Sequence, residues 1–176
     1  MLPDGVDLHS LTPHRDARGV FTELHRSSWP GMPALAQWNA VRSEAGVLRG
    51  MHVHVRHTDY LTLALGHAVI GLHDIRPESP TFGVGTSLAL DAQEPAAIVI
   101  PAGVAHGFCF TEVSLHVYAM THEWSPADDL GCRFDDPELG IGWPVPSPLL
   151  SERDERLGSL SELRRAWIEA TTLATA

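Results

Sequence analysis

The chain contains no lysine: all 12 basic residues among its 176 are arginine. Lysine Schiff-base chemistry and a lysine general acid are thereby excluded. Cysteine is almost absent as well. Cys109 and Cys132 are too few for a disulfide framework or a thiolate metal cage, and they read as two packed, reduced thiols of a cytoplasmic protein. Positive charge is scarce, with 22 acidic residues against 12 arginines and a net charge of −10. No basic stripe is available to neutralise phosphates, which argues against a nucleic-acid partner. A local arginine cluster can still hold a small anion. No apolar run approaches the roughly 18 residues that span a bilayer. The N-terminal "MLPDGVDLHSLTPHRDARG" lacks the basic and apolar regions of a signal peptide. The expectation is a soluble, cytoplasmic protein with no membrane partner.

What remains is an ordinary globular balance, 44% hydrophobic and 19% charged, on a length that fits one domain better than two. Residues 18 to 125 read as a succession of short strands. "GVFTEL", "AQWNAV", "DYLTLAL", "HAVIGLHDI", "GTSLALD", "AAIVIP", "HGFCF" and "SLHVYAMT" are apolar or alternating, separated by Gly, Pro, Asp or Ser. From 126 the chain becomes rich in Pro and Asp, as expected of an ordered tail that wraps the sheet to about residue 158. "SLSELRRAWIEATTLA" then carries a helical pattern predicted over 159–176. Leu163, Trp167 and Ile168 share one face, and Ser159 or Ser161 stands ready to cap it. The fold class is therefore all-β, a single jelly-roll barrel domain (16–125) with a short C-terminal helical tail.

Such barrels enclose a cavity, and one stretch is a candidate for its lining. In "GVLRGMHVHVRHTDYLTLALG" His52 and His54 alternate with Met51, Val53 and Val55, so both histidines face one side of a strand. His57 and Asp59 follow. From Gly46 to Gly66 the spacing is G-x5-H-x-H-x4-D-x6-G, and "PAGVAH" adds P-x-G-x-x-H ending at His106. Together these resemble the two metal-binding motifs of the cupin family, with Asp59 in place of a glutamate. Read so, His52, His54, Asp59 and His106 form a three-histidine, one-carboxylate set for one divalent transition metal.

A wider resemblance points elsewhere. "DARGVFTEL", "QWN", "GVLRGMH", "DIRPESPTFG", "IPAGVAHGF", "YAMTHEWSP", "DDPELGIGWP" and "LSERD" follow the order found in the dTDP-4-dehydrorhamnose 3,5-epimerase family. That similarity implies a cupin jelly roll, typically a homodimer, acting without metal or other cofactor on nucleotide-linked 4-keto-6-deoxy sugars. A C4 ketone acidifies the protons at C3 and C5, so a base, an oxyanion stabiliser and an opposing acid suffice. The resemblance implies His52 as the base, Asp154 as its orienting carboxylate and Tyr118 as the opposing acid. Arg49 falls where the oxyanion is stabilised. Arg18, Glu23, Gln37 and Asn39 match positions that contact nucleotide or sugar, and His106 is a further pocket group.

The departures cluster near the expected pocket. Asp59 stands where the family usually carries a lysine, and His54 where it has a glutamine two residues after the base. The second aromatic of the tyrosine motif is Trp124, which stacks on a sugar or base but has no phenolic proton to give. An acidic position of some members is Ile70. "RGMHVH" also resembles the "RGxHAH" of nucleotide-sugar 3,4-ketoisomerases, in which both histidines move protons. His54, Asp59 and Trp124 accordingly join the expected substrate-binding set. The epimerase reading leads. Three others stay open: a ketoisomerase, a metal-dependent cupin enzyme, and a catalytically silent sugar-binding cupin.

Overall fold

A computed structural model describes residues 1–174. Twelve strands run in the order β1 (Asp7–Ser10), β2 (Pro13–Asp16), β3 (Gly19–Thr22), β4 (Gln37–Ser43), β5 (Leu48–His54) and β6 (Asp59–Leu65). They continue with β7 (His67–Asp74), β8 (Gly85–Asp91), β9 (Ala96–Ile100), β10 (Val104–Phe110), β11 (Ser114–Met120) and β12 (Asp129–Gly131). A one-turn helix α1 (Glu152–Glu155) and the longer α2 (Leu160–Ala174) close the chain. One five-stranded sheet has the order β1-β9-β6-β11-β4 and the other β12-β5-β10-β7-β8, while β2 and β3 pair only with each other. All these pairings are antiparallel. The expected all-β jelly roll with a helical tail is what is seen.

Strand alternation sorts the side chains into two layers. Leu61, Leu63, Ile70, Leu72, Ile98, Ile100 and Phe110 form the core between the two sheets. On the outer face of the second sheet, Met51, Val53, Ala105 and Cys132 pack against Leu160, Leu163 and Trp167 of α2. The outward half of "MHVHV" is thus covered by the helix, each large apolar side chain contributing roughly 1.5–3 kcal/mol. Its inward half, His52 and His54, faces the barrel cavity. Cys109 and Cys132 are buried, free thiols.

Local chemistry explains most boundaries. Ser159 and Glu162 cap α2 reciprocally: Glu162 N–H donates to Ser159 Oγ at 3.3 Å, and Ser159 N–H to Glu162 Oε2 at 2.7 Å. Leu163 and Trp167 are buried as the pattern indicates, but Ile168 is half exposed, because the sheet meets a narrower stripe of the helix than the pattern offered. The expected continuation of the helix to 176 lies outside the described residues. β1, β2 and β12 were not legible as strands. Each has only three or four residues, and all three carry charge, so the neighbouring strand rather than propensity makes them extended.

β5 holds the one irregularity that matters for the site. His106 pairs with His52 but Phe108 pairs with Arg49, so β5 carries an extra residue against β10. That bulge turns Arg49 and His52, three apart in sequence, toward the same cavity. Gly50 makes it possible. It has φ of +121°, and a Cβ there would lie 2.6 Å from the Gly107 Cα and the His106 carbonyl oxygen.

Candidate active site

The open end of the barrel holds a cavity of about 320 Å³. Two groups of titratable residues line it, both rooted in β5 and its partners.

The first group centres on His52. Its Nε2 lies 2.7 Å from Asp154 Oδ1. Asp154 sits in the first turn of α1, where its own N–H donates to the capping Ser151 Oγ at 3.1 Å. Burial alone would push the Asp154 carboxyl up. The His52 imidazole and the Ser151 bond more than offset this and hold it below the usual carboxylate range. A carboxylate only accepts, so Nε2 carries the proton and Nδ1 keeps the lone pair. Tyr118, on β11, lines the same cavity and lies face to face with His116, ring centroids 5.7 Å apart. Burial raises the Tyr118 phenol, with Asp59 and Asp129 adding to it. Burial, aided by the Arg49 charge, pushes His116 down to about 4. Arg49 is the cation of this wall, its Nε donating to Ser43 Oγ at 3.1 Å.

The second group centres on Asp59 at the start of β6. Asp59 Oδ2 is 3.2 Å from His54 Nε2 and 3.3 Å from His106 Nε2, and Oδ1 is 3.6 Å from His57 Nε2. His54 and His57 stack with centroids 3.8 Å apart. His57 is fixed from behind by Asp128, whose Oδ2 lies 2.7 Å from His57 Nδ1 and whose Oδ1 accepts from the Val55 and Arg56 N–H groups at 2.9 Å. Burial would raise the Asp59 carboxyl, but the surrounding imidazoles reverse the direction and lower it. Burial takes His106 down to about 4. For His57, burial works downward, and the Asp59 and Asp128 carboxylates outweigh it and raise the imidazole.

The sequence-named residues divide on the structure. His52, Arg49, His54, Asp59, His106, Tyr118, Trp124 and Asp154 all line the cavity. Gln37 and Asn39 stand at its border on β4. The Gln37 side chain accepts the Trp124 N–H at 2.9 Å and donates to Asn39 Oδ1 at 3.1 Å. Arg18 and Glu23 are elsewhere. Arg18 is exposed on the β2–β3 hairpin, paired with Asp16 at 2.6 Å, and Glu23 pairs with Arg26. The four-residue metal set is also redrawn: His52 is turned to Asp154, and the ligand atoms that lie within 4.8 Å of one another are those of His54, His57 and Asp59, without His106.

Other site residues escaped the sequence. Asp129 accepts from Trp124 Nε1 at 3.2 Å and from Arg153 Nη1 at 2.6 Å, making one rim of the cavity. His116 completes the aromatic wall behind Tyr118. Alternation along β11 places His116 and Tyr118 on one face, which was the available signal. Asp128 and Asp129 had none, because Asp128 ends a 3-10 turn and Asp129 opens β12, and their path is set by β12 pairing with β5.

Comparison with known proteins completes the description. The family model for dTDP-4-dehydrorhamnose 3,5-epimerase matches residues 3–162. The chain is 34% identical over 181 residues to the dTDP-4-dehydrorhamnose 3-epimerase of Streptomyces niveus, covering 96% of this chain and 87% of that one. It is 35% identical over 161 residues to the dTDP-4-dehydrorhamnose 3,5-epimerase of Neisseria gonorrhoeae. That match covers 87% of this chain but 49% of the relative, so the chain spans about half of that protein's length. Among solved structures, it is similar to NovW, a 4-keto-6-deoxy sugar epimerase from the novobiocin biosynthetic gene cluster of Streptomyces spheroides. The TM-score is 0.86 at 32% identity, covering 94% of this chain and 88% of that one.

Proposed function

The chain belongs to the dTDP-4-dehydrorhamnose 3,5-epimerase family, and from that premise we propose that it epimerises a dTDP-linked 4-keto-6-deoxy sugar at C3, C5 or both. The observation that carries this reading is the His52–Asp154 pair, 2.7 Å apart, sharing one cavity with Tyr118 and Arg49. His52 Nδ1 takes the proton next to the ketone. Asp154 holds the ring and stabilises the imidazolium that forms. The negative charge moves to the C4 oxygen, where Arg49 is the available cation. Tyr118 returns a proton on the opposite face, which inverts the centre. His52 takes one proton and Tyr118 gives another, and exchange with solvent returns both groups to their resting forms.

A homodimer and a cytoplasmic setting are part of the same proposal. The β2–β3 hairpin pairs with no other strand and exposes Val20 and Phe21, which supports burial against a second copy. Arg18 and Glu23 lie on or beside it, outside their own chain's cavity, so they stay in the substrate-binding set only through such an assembly. Light scattering of the purified chain checks the stoichiometry. The two buried free thiols support the reducing compartment.

The reaction is tested by solvent exchange. Incubated in D2O with dTDP-4-keto-6-deoxyglucose, the wild-type chain is expected to place deuterium at C3 or C5, seen by mass spectrometry and NMR. His52→Ala and Tyr118→Phe are expected to fold normally and to lose exchange or turnover. Undiminished activity in His52→Ala would remove the assignment.

A further inference from the structure

The cluster around Asp59 is not explained by hydrogen bonding. His57 Nδ1 faces the Asp128 carboxylate at 2.7 Å, and His106 Nδ1 faces the Val104 carbonyl at 3.0 Å. Both partners only accept, so both Nδ1 atoms carry hydrogen. In the neutral rings the lone pairs are then on Nε2, and both Nε2 atoms point at the Asp59 carboxylate. Lone pairs facing lone pairs in a buried setting are unfavourable unless something positive stands between them. Among the described residues, His57 Nε2 and Asp59 Oδ2 are buried without a hydrogen-bond partner, while the likewise unpartnered His54 Nδ1 faces Asp129 Oδ1 at 3.9 Å. The His57 and Asp59 side chains are nine-tenths or more buried.

The distances separate two explanations. A proton between imidazole and carboxylate draws the heavy atoms to about 2.7–2.9 Å. His52–Asp154 and His57–Asp128, both at 2.7 Å, are of that kind. The three contacts to Asp59 are 3.2, 3.3 and 3.6 Å. Metal–nitrogen and metal–oxygen bonds of about 2.0–2.2 Å at tetrahedral angles put neighbouring ligand atoms about 3.3 Å apart. The spacing is that of ligands around an ion.

We propose that His54, His57 and Asp59 bind a divalent transition-metal ion. One ligand atom from each of the three lies within 4.8 Å of the others. Neutral imidazoles with one carboxylate suit zinc, cobalt or nickel. The supporting contact is one that metal-bound histidines use: Asp128 behind His57 fixes its tautomer. His52 is outside the set because Asp154 engages it. His54, Asp59 and His106 line the cavity, which places the ion on the wall a substrate would face. The inference stands on these contacts and not on the epimerase reading.

The full chain, expressed without an affinity tag, is stripped with a chelator, dialysed against Zn²⁺ and analysed by mass spectrometry for bound metal. Loading with Co²⁺ gives a visible spectrum as a second readout. The wild type is expected to retain about one ion per chain and to show a tetrahedral cobalt band. Asp59→Asn and His54→Gln are expected to weaken binding roughly tenfold or more, whereas His52→Ala keeps the wild-type stoichiometry. Circular dichroism reports folding. Should Asp59→Asn unfold, His54→Gln on the cavity wall carries the test. Substoichiometric metal in the wild type would overturn the proposal. So would loss of the ion in His52→Ala, or full retention in both ligand variants. Deuterium exchange into the sugar is read separately, so failure of the metal site and failure of the epimerase assignment are distinguishable.

Discussion

Two walls of one cavity, both built on β5, handle charge in opposite ways. On the His52 wall, histidine and carboxylate meet at 2.7 Å, and the carboxylate is further held by the Ser151 cap. On the Asp59 wall, three imidazoles stand 3.2–3.6 Å from one carboxylate, and buried ring and carboxylate atoms lack partners. A short, satisfied pair is suited to taking and giving one proton at a fixed place. A wider ring of lone pairs is suited to a cation. The same strand supplies both because His52 and His54 differ in what faces them, not in their own chemistry.

The largest expected effect separates the walls kinetically. His52→Ala removes the base and is expected to lower turnover by roughly 10²–10⁴-fold, measured as the rate of deuterium wash-in. His54→Gln should fall well short of that loss; an equal loss would make the two walls one catalytic unit. A second contrast concerns stability. Asp128 accepts from two backbone N–H groups and His57 from a fully buried position, so Asp128→Asn is expected to cost about 3 kcal/mol in urea denaturation. Asp154→Asn at the half-open wall should cost far less stability while impairing turnover.

A buried carboxylate outside the cavity calibrates both. Burial would raise the Asp74 carboxyl, but the bonds from Arg76, Ser79 and Thr81 bring it down to about 2 from an ordinary 3.8. Its contribution is therefore fully present above pH 3.8 and is lost as the pH falls through about 2. Asp74→Asn is expected to cost about 2 kcal/mol near neutrality and to flatten that acid limb, read from thermal melts across pH. The smallest effect is at the helix that backs β5. Ser159→Ala removes half of a reciprocal cap and is expected to cost about 1 kcal/mol, without changing exchange rate or metal content.

Much of this was legible in advance, for local reasons. β6, β8 and the sharing of one strand face by His52 and His54 follow from period-two patterning and turn residues, and the structure turns that face to the cavity. The start of α2 follows from the two candidate caps Ser159 and Ser161, of which the structure uses Ser159. The less legible parts share one cause, which is dependence on a distant partner. β12 is a strand because β5 offers it an edge, and that pairing delivers Asp129 to the rim and Asp128 to His57. Arg49 reaches the cavity through a bulge that only the register against β10 reveals, although Gly50 inside a strand was a hint. Ile168 matched the helical pattern and still faces solvent, because the width of the sheet sets how much of the helix is covered.

The sequence by itself determined the barrel, the family, and that His52 and His54 share one face, since alternation and ordered motifs are properties of neighbouring residues. For His52 the family resemblance already named Asp154; only the tertiary structure decided which acids His54, His57 and His106 meet. Asp154 lies 102 residues from His52, and Asp128 lies 71 from His57. An imidazole becomes a base or a ligand according to the proton, carbonyl or carboxylate held against its other nitrogen. That choice is made by chain segments folding together across long separations, and no short stretch of sequence contains it.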